Sequence, residues 1–129
     1  MFLRRPNGEW EKFPKITGAY SDAFAEIVGF EALLPSRSDS TKLETPPPAF
    51  YFLPFYVDQQ RSWSHAWNGF TNLEQYAKWQ KTIIEYHTGY LRPEFFTFEE
   101  KIAAQNLEKK TEEGEVRKIE TAIDVVKTY

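Results

Sequence analysis

The residues with the most chemistry per position form one short run, Asp58-Gln59-Gln60-Arg61-Ser62, followed closely by Ser64 and His65. A carboxylate, two carboxamides, a guanidinium and hydroxyls stand directly after the apolar run Phe50 to Val57. A polar turn leaving a buried strand is a common place to hold a ligand. Other chemistries fail on spacing or on residue type. His65 and His87 are the only histidines and neither has a histidine four residues away, so a hydrogen-bonded or solvent-facing role suits each better than zinc. Ser62, Ser64, His65 and Asp58 are close together, but no Gly-x-Ser-x-Gly elbow presents a nucleophile. Glu74, Glu85 and Glu94 offer no pair that stands out for glycoside hydrolysis and read as surface charges. With no cysteine, a disulfide framework, a thiolate metal site and a cysteine nucleophile are all excluded, and a reducing cytoplasmic location is expected.

The rings define a second class of site. Fifteen of the 22 aromatic residues lie between Phe50 and Phe98, in a chain that is 17% aromatic. Trp63, Trp67, Tyr76 and Trp79 would suit a stacking platform for sugars or unstacked bases, or a protein contact. Residues 71 to 98 hold three basic and three acidic side chains, so the basic groove that accompanies base stacking is missing, and core packing is the simpler use of the rings. The whole chain has 16 basic and 19 acidic residues, a formal charge of -3, which argues against nucleic-acid binding through bulk positive potential.

These residues need elements to position them. The 129 residues make one domain's worth of chain, and 41% hydrophobic content is enough to bury a core. Phe2 to Phe13 alternates around Pro6-Asn7-Gly8 and predicts a β-hairpin. Ser21 is placed to cap a short helix through Phe24, Ile27 and Val28, ended by Gly29, and Phe30 to Leu34 suits a strand. Residues 35 to 48, rich in Ser, Thr, Asp and Pro, read as an extended loop. Phe50 to Val57 reads as a buried strand with Pro54 at an edge or bulge, and Trp63, Trp67 and Phe70 would share a helix face. Thr71 with Glu74 forms a capping box, predicting a helix that runs to His87 and closes at Gly89. A last helix from Phe98 or Glu99 carries Val116, Ile119, Ile123 and Val126 at coiled-coil spacing, with Gln105, Lys109 and Glu112 on the same seam further back. That stripe spans about two heptads and calls either for a partner outside the chain or for packing back onto a small domain. The longest apolar run, Ala49 to Val57, is too short to span a bilayer, and charge arrives at Arg4 and Arg5 before any signal-peptide core, so a protein without membrane contact is expected.

The string Phe52-Leu53-Pro54-Phe55-Tyr56-Val57-Asp58-Gln59-Gln60-Arg61-Ser62-Trp63, with Trp67 and Phe70 after it, then Trp79-Gln80-Lys81, Glu85-Tyr86-His87-Thr88-Gly89 and a charged helix, resembles SMC-like ABC-type ATPases. It is most similar to the SMC-like subunits of Lamassu-type anti-phage systems, in the N-terminal half of the ATPase head before the coiled-coil arm. The resemblance covers about residues 44 to 110. It implies an α+β fragment of a P-loop ATPase head: residues 1-98 as a partial head lobe and 99-129 as the root of the arm. The turn would be the Q-loop, with Gln59 as the catalytic glutamine giving its side-chain oxygen to magnesium, and Asp58 and Gln60 beside the Mg-ATP site. The implied partners are the remainder of the head and arm, a second head in homodimeric engagement, and DNA reached through the full assembly, in genome maintenance or phage defence.

The chain departs from that pattern in ways that bear on activity. None of its glycines, at 8, 18, 29, 69, 89 and 114, precedes a lysine, so there is no phosphate-binding Gly-Lys loop. There is also no aliphatic run into Asp-Glu and no Ser-Gly-Gly signature. ATP hydrolysis by this chain alone is therefore not expected. The reading from residues alone, without the resemblance, is a small aromatic-rich binding or interaction module.

Overall fold

A computed structural model describes residues 1–65 and 67–129. The elements are β1 (Phe2–Arg4), β2 (Trp10–Lys12), α1 (Ala19–Val28), β3 (Leu34–Pro35), β4 (Leu43–Glu44), α2 (Pro48–Phe52), a 3-10 turn (Leu73–Gln75), α3 (Trp79–His87) and α4 (Pro93–Lys127). Two small antiparallel sheets with helices give the expected α+β class.

The N-terminal hairpin forms as its pattern requires, with Leu3 opposite Glu11 and Arg4 opposite Trp10. Gly8 takes φ +91° at the turn, and Asn7 Oδ1 accepts the Glu9 N–H at 3.1 Å. Arg5 ties the hairpin to α1 by donating to Glu11 Oε2 at 2.8 Å and Glu26 Oε2 at 3.2 Å. The hydrogen bond to Glu11, then that to Glu26, holds its guanidinium above its ordinary pKa. Gly29 ends α1 in the left-handed region, φ +68°, as expected. Ser21 does not cap it. It lies fully buried inside α1, its hydroxyl donating to Ile16 O at 2.9 Å, because the helix begins at Ala19, three residues earlier than the capping pattern suggests.

Two segments differ from expectation for reasons of packing. The strand expected over 30 to 34 shortens to Leu34–Pro35, which pairs with Leu43–Glu44, so the expected loop 35 to 48 contains a hairpin. Asp39 Oδ1 accepts both the N–H and the hydroxyl of Thr41 at its tip, which keeps the Asp39 carboxyl below its usual pKa. The expected strand Phe50 to Val57 is helical at its start. Pro48 sits at the first turn of α2, where its fixed φ favours a helix and its missing N–H costs nothing. Phe50 and Leu53, three apart, are then buried while Phe52, Phe55 and Val57 face solvent.

The capping box does not form either. Asn72 takes φ +60°, Leu73–Gln75 makes one 3-10 turn, and Tyr76 extends to bridge Ser36 before α3 begins after Lys78, φ +53°. Leu73, Tyr76, Trp79 and Ile83 all reach one core across this interruption. That core closes on Phe50, whose ring meets Tyr76 at 5.5 Å and Trp79 at 5.4 Å, both edge to face. The α4 helix starts at Pro93 rather than at Phe98 or Glu99, because Pro again serves at a first turn. Phe96 anchors it in the core at 5.7 Å from Tyr86. Among the described residues of α4 only Phe96 is buried; the helix borders the β3–β4 hairpin at Glu99, Ile102, Ala103 and Asn106, and beyond them it is exposed except at half-buried Gly114.

Candidate functional site

Residues 58 to 65 form the turn that the sequence places there, although it follows a short helix and not a strand. Ser62 closes it twice: its hydroxyl accepts the Asp58 N–H at 2.9 Å and its N–H donates to Asp58 O at 3.1 Å. The Ser64 hydroxyl donates to Arg61 O at 3.1 Å. Gln59 and Gln60 are exposed at the crest, and among the described residues neither carboxamide makes a hydrogen bond. Asp58 Oδ2 is shielded from solvent and lacks a hydrogen-bond partner. The Arg61 Nε lies 3.5 Å from it, near enough to attract and too far for a good hydrogen bond.

The base of this loop is pinned. Gly69 is buried against Tyr56, and a Cβ there would come within 2.8 Å of both Tyr56 O and the Tyr56 ring. Phe70 packs on that ring at 4.9 Å between centroids, tilted by 35°. The expected helix face of Trp63, Trp67 and Phe70 does not exist, because the chain turns instead: Trp63 is 87% exposed, and Trp67 has φ +65° with its ring edge-on to His87 at 5.7 Å. Ala66, between them, lies outside the described residues.

His87 is a residue whose position the sequence understated. Its Nε2 lies 2.9 Å from Phe50 O, and since a carbonyl only accepts, that nitrogen carries the proton. The ring stacks on Phe30 at 5.9 Å, 19° between planes, with Phe55 and Tyr86 edge-on. The signal was its place one helical turn after the buried Ile83. His65 is exposed and lines a hollow of about 320 Å³ with Trp67, Asn68, Trp79, Gln80 and Ile84.

A larger cleft of about 710 Å³ lies between α1, the β3–β4 hairpin and α4, with Asp22, Arg37, Lys42, Glu44, Tyr76 and Glu100 among its lining residues. Burial, then Glu44 and Asp22, push the Tyr76 phenol up to about 12, so it remains a neutral donor at ordinary pH. The sequence gives no sign of this cleft, because the composition of residues 35 to 48 points to an extended loop and not to the hairpin that walls it.

Asp58 Oδ2 is an oxygen donor of the kind magnesium takes, but the Arg61 guanidinium at 3.5 Å already sets a positive charge beside it, while Gln59 and Gln60 offer exposed carboxamides. Among the described residues no group of three or more His, Cys, Asp and Glu could hold a metal by itself. Among the described residues no helix is long and apolar enough to cross a membrane.

No family model matches the chain, and no solved structure matches it. Over 67 residues it is 28% identical to the Lamassu protein LmuB of Bacillus cereus (strain VD014). That stretch is 52% of this chain and 12% of the relative, so the chain spans only a small part of the relative's length. The chain is thus distantly similar to a Lamassu protein over about half of its own length.

Proposed function

We propose that the chain is a segment of an SMC-like ATPase head acting in phage defence, and that its turn at Asp58-Gln59-Gln60 is the Q-loop of that head. The observation that carries this reading is the pairing of a pinned base, Tyr56 against Gly69 and Phe70, with two carboxamides free at the crest. The distant similarity to a Lamassu protein supports the same direction. Bound Mg-ATP would supply the transferable phosphoryl group and a cation that neutralises its charge. Gln59 offers a neutral side-chain oxygen toward that cation and toward a water, so it orients without adding charge. Gln60 is its neighbour at the crest, and Asp58 holds the turn through its backbone contacts with Ser62. The rest of the head, a second head and DNA complete the working assembly.

The test joins the full chain to a head remainder that carries a Gly-Lys-Ser loop and measures Mg-ATP binding and turnover. Gln59→Ala with Gln60→Ala should lower turnover by roughly 10²-fold or more, as loss of a positioning group at a phosphoryl-transfer site does. Unchanged binding and turnover in that double variant would end the Q-loop assignment.

A second reading, a protein-interaction module, is favoured by the apolar rim around the same loop, where Phe55 is 69%, Val57 77% and Trp63 87% exposed. In an assembled head the same rim would face a neighbouring part.

A further inference from the structure

The cleft of about 710 Å³ between α1, the β3–β4 hairpin and α4 is lined mostly by exposed side chains, and its two buried lining residues, Ser36 and Tyr76, form its floor. Tyr76 is fixed there by its backbone bridge to Ser36 and by its ring against Phe50. It is only 6% exposed, yet among the described residues its hydroxyl makes no hydrogen bond, and that oxygen is not sealed from solvent. A buried phenol ordinarily has a partner, so this one must find it in the cleft, from water or from a ligand. Burial first, then Glu44 and Asp22, raise its pKa, which puts both carboxylates within electrostatic reach of the hydroxyl.

The walls carry both signs: Asp22 on α1, Glu44 on β4 and Glu100 on α4, with Arg37 and Lys42 on the hairpin. Lys42 Nζ lies 3.7 Å from Glu44 Oε1, a loose and exposed pair. Among the described residues Asp22, Arg37 and Glu100 make no ion pair. A purely anionic ligand would meet three carboxylates, and a purely cationic one would be opposed by Arg37 and Lys42. A molecule with an ammonium and a carboxylate meets a counter-charge at each end, and the neutral phenol can accept a hydrogen bond from the ammonium. We infer that this cleft binds a small peptide-like zwitterion, its ammonium held by Asp22, Glu44 and the Tyr76 hydroxyl and its carboxylate by Arg37. Ser38, Thr45 and Gln75 add neutral hydrogen-bonding groups to the lining, which suit the amides of such a molecule. The cleft volume falls in the small-molecule range of roughly 300–1,000 Å³. A tripeptide, at most about 10–11 Å long when extended, is of fitting size. The inference goes beyond the nucleotide reading and does not depend on the loop, since alanine at Gln59 and Gln60 should leave this binding unchanged.

The experiment titrates the full chain calorimetrically with triglycine, with N-acetyl-triglycine, which lacks the ammonium, and with triglycine amide, which lacks the carboxylate. Triglycine should bind with a Kd below about 1 mM, and each blocked form at least about tenfold more weakly. Tyr76→Phe keeps the core ring and should weaken triglycine about fivefold or more. Arg37→Gln should bind triglycine and its amide equally, and Asp22→Asn with Glu44→Gln should bind triglycine and its acetylated form equally. Arg37 and Asp22 are exposed and Glu44 half-buried, so these variants keep the fold, which circular dichroism verifies. Failure of triglycine to bind below about 1 mM overturns the inference. So does a blocked form that binds as tightly as triglycine, or an affinity unaltered by both Tyr76→Phe and Arg37→Gln.

Discussion

The Nε2 of His87 donates to the carbonyl oxygen of Phe50 across 2.9 Å, joining the last turn of α3 to the middle of α2, 37 residues earlier in the chain. That bond joins the two elements that flank the candidate loop, and the Phe50 side chain lies in the core beside it. His87→Ala would leave the carbonyl without its donor and remove a ring stacked on Phe30. The expected loss is about 2–3 kcal/mol in urea unfolding, one part from the unpaired carbonyl and one from the ring contacts. His87→Phe, which keeps a ring, should recover only the second part.

Gly69→Ala is the second test, because no side chain fits against Tyr56 there. A Cβ at 2.8 Å from Tyr56 O meets backbone, which cannot swing aside as a flexible side-chain end does. We expect a loss of about 1–3 kcal/mol in thermal unfolding and a displaced loop base. If the variant unfolds like the parent, Tyr56 and Gly69 are not in contact.

Phe50 and Phe55 separate the helical description of this segment from a strand. Phe50 is fully buried and Phe55 is 69% exposed. Phe50→Ala should cost about 3–5 kcal/mol, the range for emptying a core ring. Phe55→Ala should change stability by no more than about 0.5 kcal/mol. Comparable losses at both positions would contradict the burial pattern.

Tyr76 predicts an alkaline limit on stability. Its phenol is raised to about 12 by burial first and by Glu44 and Asp22 next, against an ordinary value of 10.0. The unfolded chain releases this proton more readily than the folded one. The stabilisation is complete below about pH 10 and is lost as pH rises toward about 12, up to roughly 2–3 kcal/mol. Chemical unfolding at pH 9 and pH 11.5, still short of the full loss, should show a fall for the parent that is smaller by roughly 2 kcal/mol in Tyr76→Phe. Parallel pH profiles for the two proteins would refute the assignment.

Where neighbours in sequence decide structure, the residues sufficed. Asn7-Gly8 places the first hairpin, Gly29 ends α1, and the polar run from Asp58 to Ser62 makes a turn. In each case a local backbone preference and tertiary packing agree. The spacing of Val116, Ile119, Ile123 and Val126 likewise announces an apolar stripe with no cover among the described residues of this chain.

Tertiary structure decided the rest, by supplying burial that no local pattern encodes. The aromatic run from Phe50 satisfies a strand and a helix equally by composition, and only the inward demand of Phe50 and Leu53 against Tyr76, Trp79 and Ile83 selects the helix. The capping box at Thr71 is locally sound, yet Asn72 and Lys78 take positive φ and Tyr76 extends to bridge Ser36, 40 residues earlier, so the helix begins only after Lys78. Trp63, Trp67 and Phe70 separate because Tyr56 closes on Gly69, a contact between residues 13 positions apart. Sequence alone therefore located the polar turn and the helical stripe, whose signals are local. What holds the turn in place depends on long-range contacts at His87, Phe50, Tyr56 and Gly69, which exist only once the core has formed.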